Sequence, residues 1–199
     1  RMLILDGSNN LFVEKNVIFS SNAIDTTLDL KQNTKRKSMN TIDIKYFGLI
    51  EKPLHEELYE GSVFFEEAEV ELNLHFFELP ADDKWVEEIE GYLNELSQIK
   101  GRLEKMLKSD YRDGGIVKEY VNFQVENEPL ILVDLFDDAS LKSDQEMLRD
   151  ALGLERIDFY PGEDSYAIWH FSIGRDYTDQ QLVIRTDNKG RAEGITWES

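Results

Sequence analysis

The stretch LERIDFYPGEDSYAIWHFSIGRDYTDQQLVIRTDNKGRAEGITW, residues 154–197, decides the fold class. It contains four short runs rich in β-branched and aromatic residues: Leu154 to Tyr160, Tyr166 to Ile173, Gln181 to Thr186 and Ala192 to Trp197. Between them lie turn-forming segments, Pro161-Gly162-Glu163-Asp164, Gly174 to Asp179 and Asp187-Asn188-Lys189-Gly190. Glycine, asparagine and aspartate supply the backbone conformations that tight reversals need, so this spacing predicts a four-strand antiparallel meander.

Working back from the meander, Leu141 to Leu152 carries a helical pattern that stops at Gly153. Leu130 to Phe136 is ambiguous between helix and strand. Ile116 to Val125 is compatible with either: Val117, Tyr120, Val121 and Gln124 line one side of a helix, but the residues also alternate. Asp113-Gly114-Gly115 stops the preceding element. Upstream, Trp85, Ile89, Leu93 and Leu96 recur at helical spacing with Tyr92 beside them, capped by Asp82 or Asp83. Ser97 is read as the cap of a second helix carrying Ile99, Leu103, Met106 and Leu107. Acids in the first turns and lysines at the far end suit the helix dipole.

Further upstream, Val63 to Phe65 and Val70 to Phe77 form a predicted hairpin about Glu66 to Glu69. Val70, Leu72, Leu74 and Phe76 face one way, and Glu71, Asn73 and His75 the other, as in a sheet with one wet face. Thr41 to Ile50 reads as a single strand ended by Pro53. Strands, then helices, then strands imply an α+β fold: an antiparallel sheet of N-terminal strands plus the C-terminal meander, packed with a central group of helices.

Residues 1–38 differ from the rest. Leu11 to Phe19 reads as a strand, and the basic run Lys35-Arg36-Lys37 precedes Met39. Met39 reads as the natural start of a single domain over 39–199, with 1–38 as an extension; the alternative is an N-terminal strand pair packed on that domain. Charge divides at the same place. Residues 1–38 hold six basic and four acidic groups, and the remaining 161 hold 16 basic and 37 acidic groups. Such a field repels nucleic-acid backbones and anionic bilayers and attracts a basic protein partner. No apolar run approaches the roughly 20 residues of a membrane helix, and no cysteine is present. Disulfides and cysteine-based metal centres are therefore excluded, and a cytoplasmic location is expected.

Chemistry-bearing motifs are few. The three histidines, His55, His75 and His170, form no paired metal motif. His170 lies between Trp169 and Phe171, either as a general base or ligand within the sheet or as a hydrogen-bonded structural residue. Asp134, Asp137 and Asp138 follow an apolar run, and Glu163 and Asp164 occupy a turn that shares an edge with them in this reading. These five acids are the candidate partner-binding residues. Asp134, Asp137 and Asp138 are also the carboxylates that a metal-assisted hydrolase using His170 or His75 would draw on. No nucleophile elbow and no phosphate-cradling glycine loop exists, so no cofactor is expected. Trp169 and Phe171 share a face, with Tyr166 expected on the opposite one.

Several segments together resemble a family of uncharacterised bacterial domains of unknown function. They are Ile42-Asp43-Ile44-Lys45-Tyr46-Phe47-Gly48, the acidic strand pair Val63 to Phe76, the helix run Trp85 to Asp110, and Val117-Lys118-Glu119-Tyr120. Phe159-Tyr160-Pro161, Ile173-Gly174 and Leu182-Val183-Ile184 complete the likeness, which covers about 39–199. The resemblance implies no established activity and transfers no site residue. Small acidic proteins of this style include immunity proteins that neutralise secreted bacterial toxins, an analogy at the level of class. The function expected is a non-enzymatic acidic protein-binding module, an immunity-type inhibitor of a basic toxin; the alternative is the hydrolase.

Overall fold

The computed structural model describes residues 41–52, 54, 58–66, 68–78, 80, 82–127 and 142–199. The strand expected at Leu11 to Phe19, the basic run, His55, Leu130 to Phe136 and the acids Asp134, Asp137 and Asp138 lie outside the described residues.

The fold is α+β. A two-stranded hairpin joins β1 (Thr41–Ile44) to β2 (Gly48–Glu51). A six-stranded sheet follows in the order β3 (Leu58–Phe65), β4 (Ala68–His75), β5 (Gly153–Phe159), β6 (Ala167–Ser172), β7 (Gln181–Thr186) and β8 (Ala192–Glu198). Between β4 and β5 the described chain forms helices α1 (Lys84–Asp113), α2 (Ile116–Asn127) and α3 (Asp144–Ala151). All pairings are antiparallel except β4–β5, which is parallel.

The four meander strands match the expected runs closely, because turn residues bracket each one. The single strand expected over Thr41 to Ile50 is instead a hairpin. The chain reverses at Lys45–Phe47, where Phe47 N–H donates to the Ile44 carbonyl at 3.0 Å and Tyr46 takes a φ of 71°. Its turn sits directly on β3, since a Cβ on Gly61 would lie 2.4 Å from the Tyr46 carbonyl oxygen. Phe47 packs edge-on against Phe159, holding this uncommon backbone in place.

The second helix expected from Ser97 does not exist as a separate element. Ser97 is exposed in the middle of α1. Trp85, Ile89, Tyr92, Leu96, Ile99, Leu103 and Leu107 form one unbroken buried stripe, and no proline interrupts it. α1 ends as expected, with Gly114 in the left-handed conformation at φ 82°. Ile116 to Asn127 is a helix, with Val117, Tyr120, Val121 and Gln124 buried.

The helices cover one face of the large sheet. Tyr92 of α1 touches Phe159 and Tyr166, and Trp197 of β8 meets Tyr120 and Phe123 of α2. Trp169 N–H donates to the Tyr92 hydroxyl at 2.9 Å, which lies 2.6 Å from Thr186 Oγ1. Burial, only partly offset by the hydrogen bonds from Thr186 and Trp169, pushes the Tyr92 phenol up to about 12. Tyr166 therefore shares the helix side with Trp169, against expectation. β6 begins only at Ala167, so strand alternation does not reach back to Tyr166. At the far side the β7–β8 turn presses on α1: a Cβ at Gly190, whose φ is +65°, would sit 2.6 Å from Ile99. Among the described residues no helix is long and apolar enough to cross a membrane.

Candidate functional site

Alternation along the strands sends half of their side chains to the face away from the helices. Two neighbouring rows cross that face. Asn73 pairs with Asp158, which pairs with Ile168; Glu71 pairs with Arg156, which pairs with His170. This face was expected to be wet, but Asn73 is only 8% exposed, Asp158 6% and His170 9%. Its polar side chains pack against one another, although Asn73 Oδ1 and His75 Nε2 are buried without a hydrogen-bond partner among the described residues.

Asp158 is the centre. Its Oδ2 accepts from His170 Nε2 at 2.8 Å and from Arg156 Nε at 3.1 Å, and its Oδ1 accepts from Asn73 Nδ2 at 3.0 Å. Burial is the largest influence on this carboxyl and raises its pKa. The hydrogen bonds from His170 and Asn73, with the charges of Arg156 and His170, outweigh burial and hold it at about 2. Because an ionised carboxylate only accepts, His170 Nε2 carries the proton of that bond. His170 Nδ1 lies 2.8 Å from Gln181 Oε1, so both ring nitrogens are engaged. One Arg156 guanidinium nitrogen stands 3.5 and 3.4 Å from those same two nitrogens. It cannot lie on both in-plane axes of the ring nitrogens, which Asp158 and Gln181 already occupy; this is a close contact rather than a pair of hydrogen bonds.

His75 approaches the same carboxylate from β4, with Nε2 3.5 Å from Asp158 Oδ1. Its ring stacks on Tyr160 at 4.8 Å, and the exposed Phe77 stacks on Tyr160 at 5.4 Å. The network extends through Glu71, which accepts from Asn73 at 2.9 Å and pairs with Arg175 at 3.1 Å. Arg175 also pairs with Glu155, which accepts a hydrogen bond from Ser172. The hydrogen bond from Asn73 is the main reason the Glu71 carboxyl lies below its ordinary value.

The structure thus brings His75 and His170 together, but through Asp158, a residue that sequence reasoning missed. Glu163 and Asp164 stand exposed in the turn after β5, and Glu163 N–H donates to the Tyr160 carbonyl at 3.1 Å. Neither joins the network. Asn73, Arg156 and Gln181 were also missed. Their signal was strand alternation in β4, β5 and β7, but it becomes informative only once the parallel β4–β5 pairing puts the rows side by side. Among the described residues no group of three or more His, Asp or Glu side chains is placed to hold a metal ion.

A second feature lies on α1. Its amino-terminal half presents Glu87, Glu88 and Glu95 around Gly91 and Tyr92, opposite Asn188 and Lys189 of the β7–β8 turn. This open groove carries three glutamates and one lysine in its lining, and all three glutamates are exposed. Some carboxylates elsewhere are tied to cations: Asp83 to Lys52, Glu155 to Arg175 and Asp187 to Arg191. Glu87, Glu88 and Glu95 make no ion pair among the described residues.

Comparison of the chain with protein-family models, with curated proteins and with solved structures found no match.

Proposed function

We propose that the 39–199 domain is a non-enzymatic acidic module that binds a basic protein, in the manner of an immunity-type inhibitor of a basic bacterial toxin. The observation that carries this reading is the contrast between two sets of acids. Asp158 and its neighbours are engaged by internal partners, while Glu87, Glu88 and Glu95 face solvent along one groove without an ion pair among the described residues, three acids against the single cation Lys189. Uncompensated surface charge raises the rate of encounter with an oppositely charged protein, and salt screens that gain within about 10 Å at 0.1 M. A lysine or arginine lying over Gly91 would meet three carboxylates, with Lys189 the one cation in the groove lining among the described residues.

The test is a pull-down at low ionic strength with the full chain and with the triple charge reversal Glu87→Lys, Glu88→Lys, Glu95→Lys. The expected result is recovery of a basic protein by the native chain alone, lost when salt is raised. Recovery of no basic protein, or equal recovery by the reversed variant, removes the reading.

A second reading, a metal-assisted hydrolase, is favoured by one observation: two histidines reach a single buried carboxylate. Asp158 already accepts three hydrogen bonds and both nitrogens of His170 are engaged, which leaves His75 for substrate chemistry. Divalent-metal-dependent turnover that disappears in a folded His75→Ala variant would establish it in place of the first.

A further inference from the structure

A cavity of about 280 Å³ opens between the carboxy-terminal half of α1, the start of α2, the end of α3 and β6. Its depth is apolar. Leu107, Val117 and Phe171 are buried there, and Leu152 is half-buried beside them. Its mouth is charged, with Lys108 and Arg149 facing Glu104 and Asp150. Glu104 is held by Lys100 at 2.5 Å, and Asp150 is held by both Lys142 at 2.7 Å and Arg149 at 2.6 Å. Lys108, exposed at the same rim, makes no ion pair among the described residues. Arg149 is braced by its contact with the Tyr111 ring, 5.4 Å from centroid to guanidinium carbon. Two cations and two acids line the rim; Lys100 and Lys142 tie up the acids from outside it, so Lys108 is the lining charge left without an ion pair among the described residues, on a domain whose overall surplus is strongly negative. The volume lies just below the range of drug-sized ligand sites, roughly 300–1,000 Å³, which suits a small ligand.

We propose that this cavity binds a small amphipathic anion, an aliphatic chain ending in a single carboxylate. The tail displaces water from Leu107, Val117 and Phe171, and the carboxylate sits at the rim against Lys108, with Arg149 beside it. The site lies on other residues than the acidic groove and does not depend on the protein-binding reading.

The experiment is calorimetric titration of the full chain with hexanoate, octanoate and decanoate, with octan-1-ol and octylamine as neutral and cationic comparators. Saturable binding is expected, tightening about fourfold per added methylene and levelling off once the chain outgrows the cavity. Octan-1-ol and octylamine should each bind about tenfold or more weakly than octanoate, and Lys108→Glu should weaken octanoate by about tenfold. Val117→Phe fills the cavity and should abolish binding while the far-ultraviolet spectrum stays native. If Val117→Phe does not fold, Lys108→Glu, an exposed substitution, decides alone. Octylamine binding as tightly as octanoate, octanoate affinity unchanged in Lys108→Glu or in folded Val117→Phe, or no saturation at about 10 mM, a limit set by the weakest affinities worth calling specific, would each overturn the proposal.

Discussion

At the scale of single residues, Asp158 and Gln124 are opposite cases of a buried polar group. Asp158 has a donor for each lone-pair direction that matters, and its folded pKa of about 2 lies below the usual carboxylate value. A depressed carboxylate contributes stability above its unfolded pKa, and that contribution is lost as pH falls through the folded value. Here the window runs from about pH 4 down to about pH 2, and the contribution is on the order of 2 kcal/mol. Urea unfolding measured across that range should show a drop in the native chain, and a shallower one in Asp158→Asn. At pH 7 the same substitution should cost about 3 kcal/mol, because Arg156 and His170 are left facing a neutral amide. Gln124 is fully buried on α2, and neither amide atom has a hydrogen-bond partner among the described residues. Replacing Gln124 with Met keeps the volume and removes the unsatisfied groups. The expected gain is about 1–2 kcal/mol in chemical denaturation; a loss of stability would mean that the amide has a role in the fold.

At the scale of elements, legibility followed the locality of the signal. The meander runs, the Gly114 stop and the buried stripe of α1 are written in adjacent residues, so they were readable. The hairpin at Lys45–Phe47 was not, because Tyr46 adopts positive φ without being Gly, Asn or Asp, the residues that usually announce it. The break proposed at Ser97 failed because a serine is also tolerated on the solvent side of a continuing helix. α3 shows how a true cap differs. The Ser143 hydroxyl accepts from Glu146 N–H at 3.3 Å, and the Glu146 carboxylate accepts from Ser143 N–H at 3.0 Å, a reciprocal capping box. α3 has only eight residues, too few to be stable without such help. Ser143→Ala should therefore lower thermal stability by about 1 kcal/mol, with amide exchange in α3 accelerating more than in α1. The polar network was the least legible part: His75 and His170 were visible as candidates, but Asp158 became their common partner only through a strand pairing between β4 and β5 that no local pattern encodes.

At the scale of the whole molecule, charge carries the functional reading and also supplies its internal control. Self-repulsion among 37 acids and 16 bases over residues 39–199 weakens the folded state at low ionic strength, and added salt relieves it. The same salt weakens attraction to a basic partner. Stability and affinity should therefore move in opposite directions along one salt titration, which separates loss of binding from loss of fold.

The parallel seam between β4 and β5 also sets an order of assembly. The β3–β4 hairpin and the β5–β8 meander each zip up over short reversals. Joining them closes a ring that contains residues 76–152, at an entropic toll of about 4 kcal/mol, which accrues before the seam's four residue pairs return anything. Two prefabricated halves meeting late, with the helical layer caught between their tethers, is the route this connectivity favours over growth from one end.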